Sequence, residues 1–273
     1  AKMVKQGNQN ISPAPTTYKQ AVSSPQRDEW KTAMDAEKNS LDEMGTWRVV
    51  PWPENDRVVP GKWVFSNKLN DDGSLKKRKA RFVVRGDKQR AGHDYKNTHA
   101  PVIRTQTMRL VMATAVAIKW PIEQSDFGNA FLNAVLPEGE RMYVRMPEGY
   151  RIFQNGKEMV YELLMSLYGM KQAAHLWFHK VIEIFTAFGL QPSKHDSCLF
   201  TMNRQSQCLV VVVYVDDLIY TGSGTLIKSF KDYLTKNHRI THMGEVKWVL
   251  NIKVDRDMEE RMLTLTQDSY MDG

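Results

Sequence analysis

The run "CLVVVVYVDDLIYTGS", Cys208 to Ser223, decides how this chain is read. Leu209 to Val215 are all apolar or aromatic, Asp216 and Asp217 follow side by side, and apolar residues resume at Leu218. Neighbouring side chains on a regular strand point to opposite faces, but a tight turn relaxes that restriction, and aspartate tolerates turn dihedrals. The run therefore predicts a buried hairpin with both carboxylates at its tip. Two carboxylates about 4 Å apart repel by roughly 4 kcal/mol at an effective dielectric of about 20, and by about 1 kcal/mol in water. Either the turn exposes both charges to water, or a divalent cation converts their repulsion into coordination.

A third acid bears on that choice. "IEQSD" reads as a short strand ending near Asp126, and "FGNAFLNAVL" after it reads as a turn into a helical segment. Strand-end carboxylates from separate segments can clamp paired metal ions that hold an attacking and a leaving oxygen, and phosphoryl transfer needs little beyond positioning and charge neutralisation. Oxygen-only ligands favour magnesium over zinc.

Working outward, residues 1–23 are polar and carry Pro13 and Pro15, and they read as a linker. Ser24-Pro25 offers an N-cap with proline at the first helical position, and Trp30, Met34, Leu41 and Met44 recur at helical spacing, so a helix is expected over about 25–44. Lys62–Leu69 and Leu75–Arg85 flank Asp71-Asp72-Gly73 as a hairpin. On its second strand Lys79, Arg81, Val83 and Arg85 share one face, and Arg78, Ala80, Phe82 and Val84 share the other. "TMRLVMATAVAI" predicts a buried helix, "MYVRMPEGY" and "EMVYELL" predict strands, and "KQAAHLWFHKVIEIFTAFG" predicts a helix ended by Gly189. A further helix over 225–236 and strands in "VKWVLNIKVD" and "MLTLTQ" follow. Strand pairs lie next to each other in sequence rather than alternating with helices, so the class is α+β.

The 273 residues are 42% hydrophobic and carry a formal charge of +7, which suits a polyanionic partner but is weak support for one by itself. Cys198 and Cys208 cannot build a disulfide framework or a four-ligand zinc site, and the chain reads as intracellular. His175 and His179 are spaced i, i+4 with no third ligand evident, and read as ordinary helix histidines. No apolar run approaches the ~20 residues needed to span a bilayer. Both ends of the chain read as cuts in a longer polypeptide.

Four stretches occur together: "KWVFSNKLNDDGSLKKRKARFVVRGDKQRAGHDY", "QSDFGNAFLN", "SLYGMKQAAHLWF" and "YVDD". In this order and spacing, from about Tyr18 to the C-terminus, the chain resembles the reverse transcriptases of Ty1/copia-type LTR retrotransposons. The resemblance implies a right-hand polymerase with an antiparallel palm sheet, roughly 45–120 in the fingers, 121–255 mainly palm, and an incomplete thumb. It implies RNA- and DNA-directed DNA synthesis with two Mg2+ ions, Mn2+ being able to substitute.

Residue by residue, the resemblance makes Asp126 and Asp216 the principal metal ligands, with Asp217 completing the trio and Phe127 contributing through its backbone to the metal–triphosphate site. Lys79 and Arg81 would hold the triphosphate. Phe131 would be the aromatic gate against a ribose 2′-OH. Tyr168, Gly169 and Lys171 would form the nucleotide-site turn, and Trp248 to Val254 the hairpin at the primer end. The implied partners are a template-primer, a deoxynucleoside triphosphate (dNTP), and the integrase and RNase H segments of a polyprotein, with no membrane. The implied location is a cytoplasmic virus-like particle, or the nucleus.

Departures from the family pattern are Ala174 for proline, His175 for arginine, Asn97–His99 for a Glu-Thr-Phe run, and Asn251 for a glycine whose loss is expected to disturb the primer hairpin. None removes a metal ligand. The alternative function is a catalytically inactive, truncated nucleic-acid-binding remnant of the polyprotein.

Overall fold

The residues on either side of Asp216 pair antiparallel, from Leu209↔Gly222 to Tyr214↔Asp217, so the hairpin expected from the sequence is present. The structure is a computed structural model that describes residues 11–70 and 72–267. In chain order the elements are α1 (Tyr18–Ser23), α2 (Arg27–Glu43), β1 (Trp47–Pro51), β2 (Val58–Val59), β3 (Gly61–Leu69), β4 (Leu75–Val84), α3 (Thr105–Ala117), β5 (Ile122–Phe127), β6 (Tyr143–Arg145), β7 (Phe153–Gln154) and β8 (Lys157–Leu163). Then come α4 (Ala173–Phe188), β9 (Gln191–Pro192), β10 (Leu199–Arg204), β11 (Gln207–Tyr214), β12 (Asp217–Gly222), α5 (Gly224–Asn237), β13 (Ile240–Glu245), β14 (Trp248–Val249), β15 (Ile252–Asp257) and β16 (Met262–Thr266). The class is α+β, as expected. The chain divides into two compact units, residues 1–98 with 131–176, and residues 99–130 with 177–273.

In the first unit a sheet runs β1-β8-β6-β2, with β7 on β8, and β3 and β4 form a separate two-stranded ribbon. The alternation expected on β4 holds: Ala80, Phe82 and Val84 are buried against Trp30, Met34 and Leu41 of α2 and Trp63 and Phe65 of β3. Trp47 stacks on Tyr161 with ring centroids 3.9 Å apart, and Trp30 meets Phe65 edge-on at 5.3 Å. The ribbon turns at Gly73, whose φ of +83° glycine adopts without steric cost; Asp71 lies outside the described residues.

Two expectations for this unit need correction. Tyr18–Ser23, expected within a linker, is a helical turn: the Thr17 side chain accepts from the Gln20 N–H, and Ala21 is fully buried. Ser24 consequently ends α1 rather than capping α2, and donates its hydroxyl to the Ala21 carbonyl at 2.9 Å.

In the second unit a six-stranded sheet runs β13-β5-β12-β11-β10-β9, and β14, β15 and β16 form a small sheet of their own. The unbroken apolar run of β11 is explained by cover on both faces. Val212 and Ile219 pack with Met108, Met112 and Ala115 of α3. On the opposite face Tyr220 meets Phe230 of α5, which also packs edge-on against Phe185 of α4. After β5 the expected helical segment is only the short 3-10 turn Ala130–Asn133. Asn129, with φ +56°, turns the chain before it.

Candidate active site

The turn between β11 and β12 places Val215 at φ +55°. A β-branched residue there is strained, at a cost of order 1–3 kcal/mol, and persists only where its surroundings hold it. Two contacts hold this turn. The Trp177 indole N–H donates to the Val215 carbonyl at 2.6 Å, and the Phe127 N–H donates to the Asp216 carbonyl at 3.0 Å. The second contact ties the end of β5 to the turn through main chain alone. Phe127 is itself buried, edge-on to Trp177 at 4.9 Å.

Asp216 is exposed at the tip, while Asp217 is half-buried at the start of β12. Asp217 lies directly opposite Asp126 on the antiparallel β5–β12 ladder. Directly opposed residues share a sheet face with Cβ atoms roughly 4.5–5.5 Å apart. Asp217 accepts from Gln124 Nε2 at 3.3 Å. Burial first, then the neighbouring Asp216 charge, pushes the Asp217 carboxyl above the ordinary aspartate range, and the Gln124 hydrogen bond opposes them.

This oxygen-only set fits a hard divalent cation. Among the described residues no three His, Cys, Asp or Glu side chains are grouped so that they could hold a metal ion.

Behind Asp126 runs a polar chain, buried at Ser125 and exposed at Thr235, that the sequence did not disclose. Ser125 Oγ lies 2.8 Å from Tyr220 Oη and 2.7 Å from His242 Nδ1, and His242 Nε2 lies 2.9 Å from Thr235 Oγ1. Ser125 is fully buried, and burial pushes the His242 imidazolium down, towards the neutral ring. Serine after glutamine in a short strand carries no distinguishing pattern, so only the fold reveals this link between β5, β12, α5 and β13.

The remaining expected site residues fall in the first unit. Arg81 lies over the Tyr168 ring at 5.3 Å, and Tyr168 meets Phe131 edge-on at 5.9 Å, so these three are brought together. Lys79 precedes them on the same strand face, and burial, then Arg81, lowers its ammonium pKa. Glu37 of α2 faces both cations, and its carboxyl is raised by burial. One glutamate among several on a helix gave no sequence signal for that role. Gly169, at φ +83°, sits where a Cβ would come 2.3 Å from the Val84 carbonyl oxygen, so its close approach here is to β4. The Tyr168 carbonyl accepts from the Val84 N–H at 2.8 Å. Lys171 is exposed.

At the other expected positions, the β14–β15 turn keeps its form despite Asn251: Leu250 and Asn251 take φ +50° and +61°, and asparagine tolerates that region well. Cys198 and Cys208 are free, and burial pushes the Cys198 thiol up to about 12. Among the described residues no helix is long and apolar enough to cross a membrane.

A profile of the family described as "Reverse transcriptase (RNA-dependent DNA polymerase)" matches residues 44–273. The Retrovirus-related Pol polyprotein from transposon RE2 of Arabidopsis thaliana is 34% identical over 238 residues, which are 86% of this chain and 16% of that protein. The corresponding polyprotein from transposon TNT 1-94 of Nicotiana tabacum is 31% identical over 260 residues, 94% of this chain and 19% of that one. The chain thus spans under a fifth of the length of these relatives. The solved structure of a foamy viral protease–reverse transcriptase in complex with double-stranded DNA aligns with a TM-score of 0.44 at 14% identity, covering 89% of this chain and 36% of that one. The chain belongs to the reverse transcriptase (RNA-dependent DNA polymerase) family, in its copia-type branch.

Proposed function

We propose that the chain is the polymerising core of a copia-type retrotransposon Pol protein, extending a primer 3′-OH with dNTPs on RNA or DNA templates. The observation that supports this best is Asp126 opposite Asp217, beside the exposed Asp216 at a strained turn. Two magnesium ions, when bound, would favour the ionised primer hydroxyl and neutralise charge on the triphosphate and departing pyrophosphate.

The chain's own groups do the rest. Asp126 and Asp216 supply the principal carboxylates, Asp217 completes the set, and the Phe127 backbone borders it. Burial and the Asp216 charge disfavour the ionised form of Asp217, and a nearby cation would offset that cost. Lys79 and Arg81 hold the triphosphate as cations. Phe131, a flat ring under the sugar, excludes a ribose 2′-OH and so selects deoxynucleotides. Tyr168, Gly169 and Lys171 form the turn beside the base, and Trp248 to Val254 hold the primer end. On this assignment the β3–β4 ribbon belongs to the fingers and the six-stranded sheet to the palm. The chain works inside the cell, in a cytoplasmic particle, joined with integrase and RNase H segments.

The test is primer extension on RNA and DNA templates with magnesium, run beside a salt titration of template-primer binding. Incorporation on both templates is expected. Binding that falls steeply with salt, as phosphate contacts release counterions, but brings no incorporation would overturn the assignment in favour of a binding remnant.

A further inference from the structure

We propose that Gln89 and Gln172 are positioning residues that set the turn Tyr168–Lys171 through a directional chain of hydrogen bonds between buried side chains; the functional half of this rests on that turn being part of the nucleotide site. Both side chains are buried, at 9% and 3% exposure. The Lys171 N–H donates to Gln89 Oε1 at 2.7 Å, Gln89 Nε2 donates to Gln172 Oε1 at 3.0 Å, and Gln172 Nε2 donates to the Asp94 carbonyl at 3.0 Å.

The two ends fix the direction. A backbone N–H can only donate and a backbone carbonyl can only accept, so each amide has one workable orientation between them. Neither amide can flip without setting like poles against each other in a buried place, where an unmade hydrogen bond is expensive. Hydrogen bonds in such a chain also polarise one another in the same sense.

The chain joins the turn to the segment after β4, and it acts at a point that main chain already approaches closely. A Cβ on Gly86 would come 2.1 Å from the Gly169 carbonyl oxygen. The Val84 N–H holds the Tyr168 carbonyl from one side. The two glutamines hold Lys171 from the other. The ring of Tyr168, between Arg81 and Phe131, is thereby set from both ends of a four-residue turn.

The test uses Gln89→Leu, Gln172→Leu and the double variant, each first shown to unfold cooperatively in urea. Hydrogen exchange at the Lys171 amide and steady-state extension are both measured. Each single variant is expected to expose the Lys171 amide and to raise the dNTP KM about tenfold, the size of losing one buried hydrogen bond, with kcat and template-primer affinity changed less than about threefold. The double variant is expected to match the singles rather than multiply them, because all three break one chain. An unchanged KM, a uniform loss of kcat alone, or full multiplication in the double variant would overturn the positioning role. Absence of extension by the unmodified chain would count against the polymerase assignment alone; the exchange readout would still decide whether the glutamines hold the turn, and undiminished Lys171 protection would sink the proposal.

Discussion

Asp126 and Asp217 lie directly opposite each other across the β5–β12 ladder, one residue from the exposed carboxylate of Asp216. Like charges directly opposed in a sheet are destabilising. Hydrophobic sheet packing on both faces of β11 and β12 keeps Asp217 opposite Asp126 despite that repulsion, and the main-chain tie from Phe127 to Asp216 joins the turn to the end of β5.

Asp217→Asn should therefore stabilise the protein without divalent cations at neutral pH, by roughly 0.5–1 kcal/mol. The folded carboxyl titrates above the ordinary aspartate range. Its ionised form therefore destabilises the fold above the folded pKa, and that penalty disappears as the pH falls towards the unfolded value. The gain in the variant should shrink in the same direction. Urea midpoints from pH 7 down to about pH 3.5 check this; a variant less stable at pH 7 would contradict it.

Val215→Gly should be tolerated or stabilising by up to about 1 kcal/mol, since glycine adopts φ +55° without the steric cost a β-branched residue bears. Extension should nevertheless slow, because a freer turn holds Asp216 less firmly. Denaturation and single-turnover extension, measured on the same preparation, separate the two effects.

Gly169→Ala should cost at least about 2 kcal/mol, because the new methyl would meet the Val84 carbonyl oxygen at 2.3 Å and the Val83 side chain at 2.4 Å while φ stays positive. Gly73→Ala, where a Cβ meets nothing within 4 Å, should pay only for its positive φ, about 1 kcal/mol. Comparing their urea midpoints isolates the packing part.

Much of this was legible in the sequence where local pattern and burial agree. The hairpin around Asp216, the β3–β4 ribbon and the long helix α4 all carry strong periodicity or turn signals. The Tyr18–Ser23 helix was missed because its stability comes from tertiary burial of Ala21 and from the Thr17 cap, which a polar stretch with two prolines disguised. The segment after Asp126 kept apolar residues at helical spacing but is only a 3-10 turn, since strand pairing fixes where β5 ends. The acids were visible as residue types; their register was not. Glu37, Gln89, Gln172, Ser125 and His242 became visible only through contacts between segments far apart in sequence.

The central claim is that the acids of the β5 strand end and the β11–β12 turn serve nucleotidyl transfer. Its most direct test is magnesium-dependent primer extension by the purified chain beside Asp126→Asn and Asp216→Asn. Losing carboxylate support for the metal ions should cost several kcal/mol of transition-state stabilisation, so about a thousandfold or more in rate, with circular dichroism and urea midpoints close to those of the unmodified chain. Extension by either variant at the unmodified rate would contradict the account.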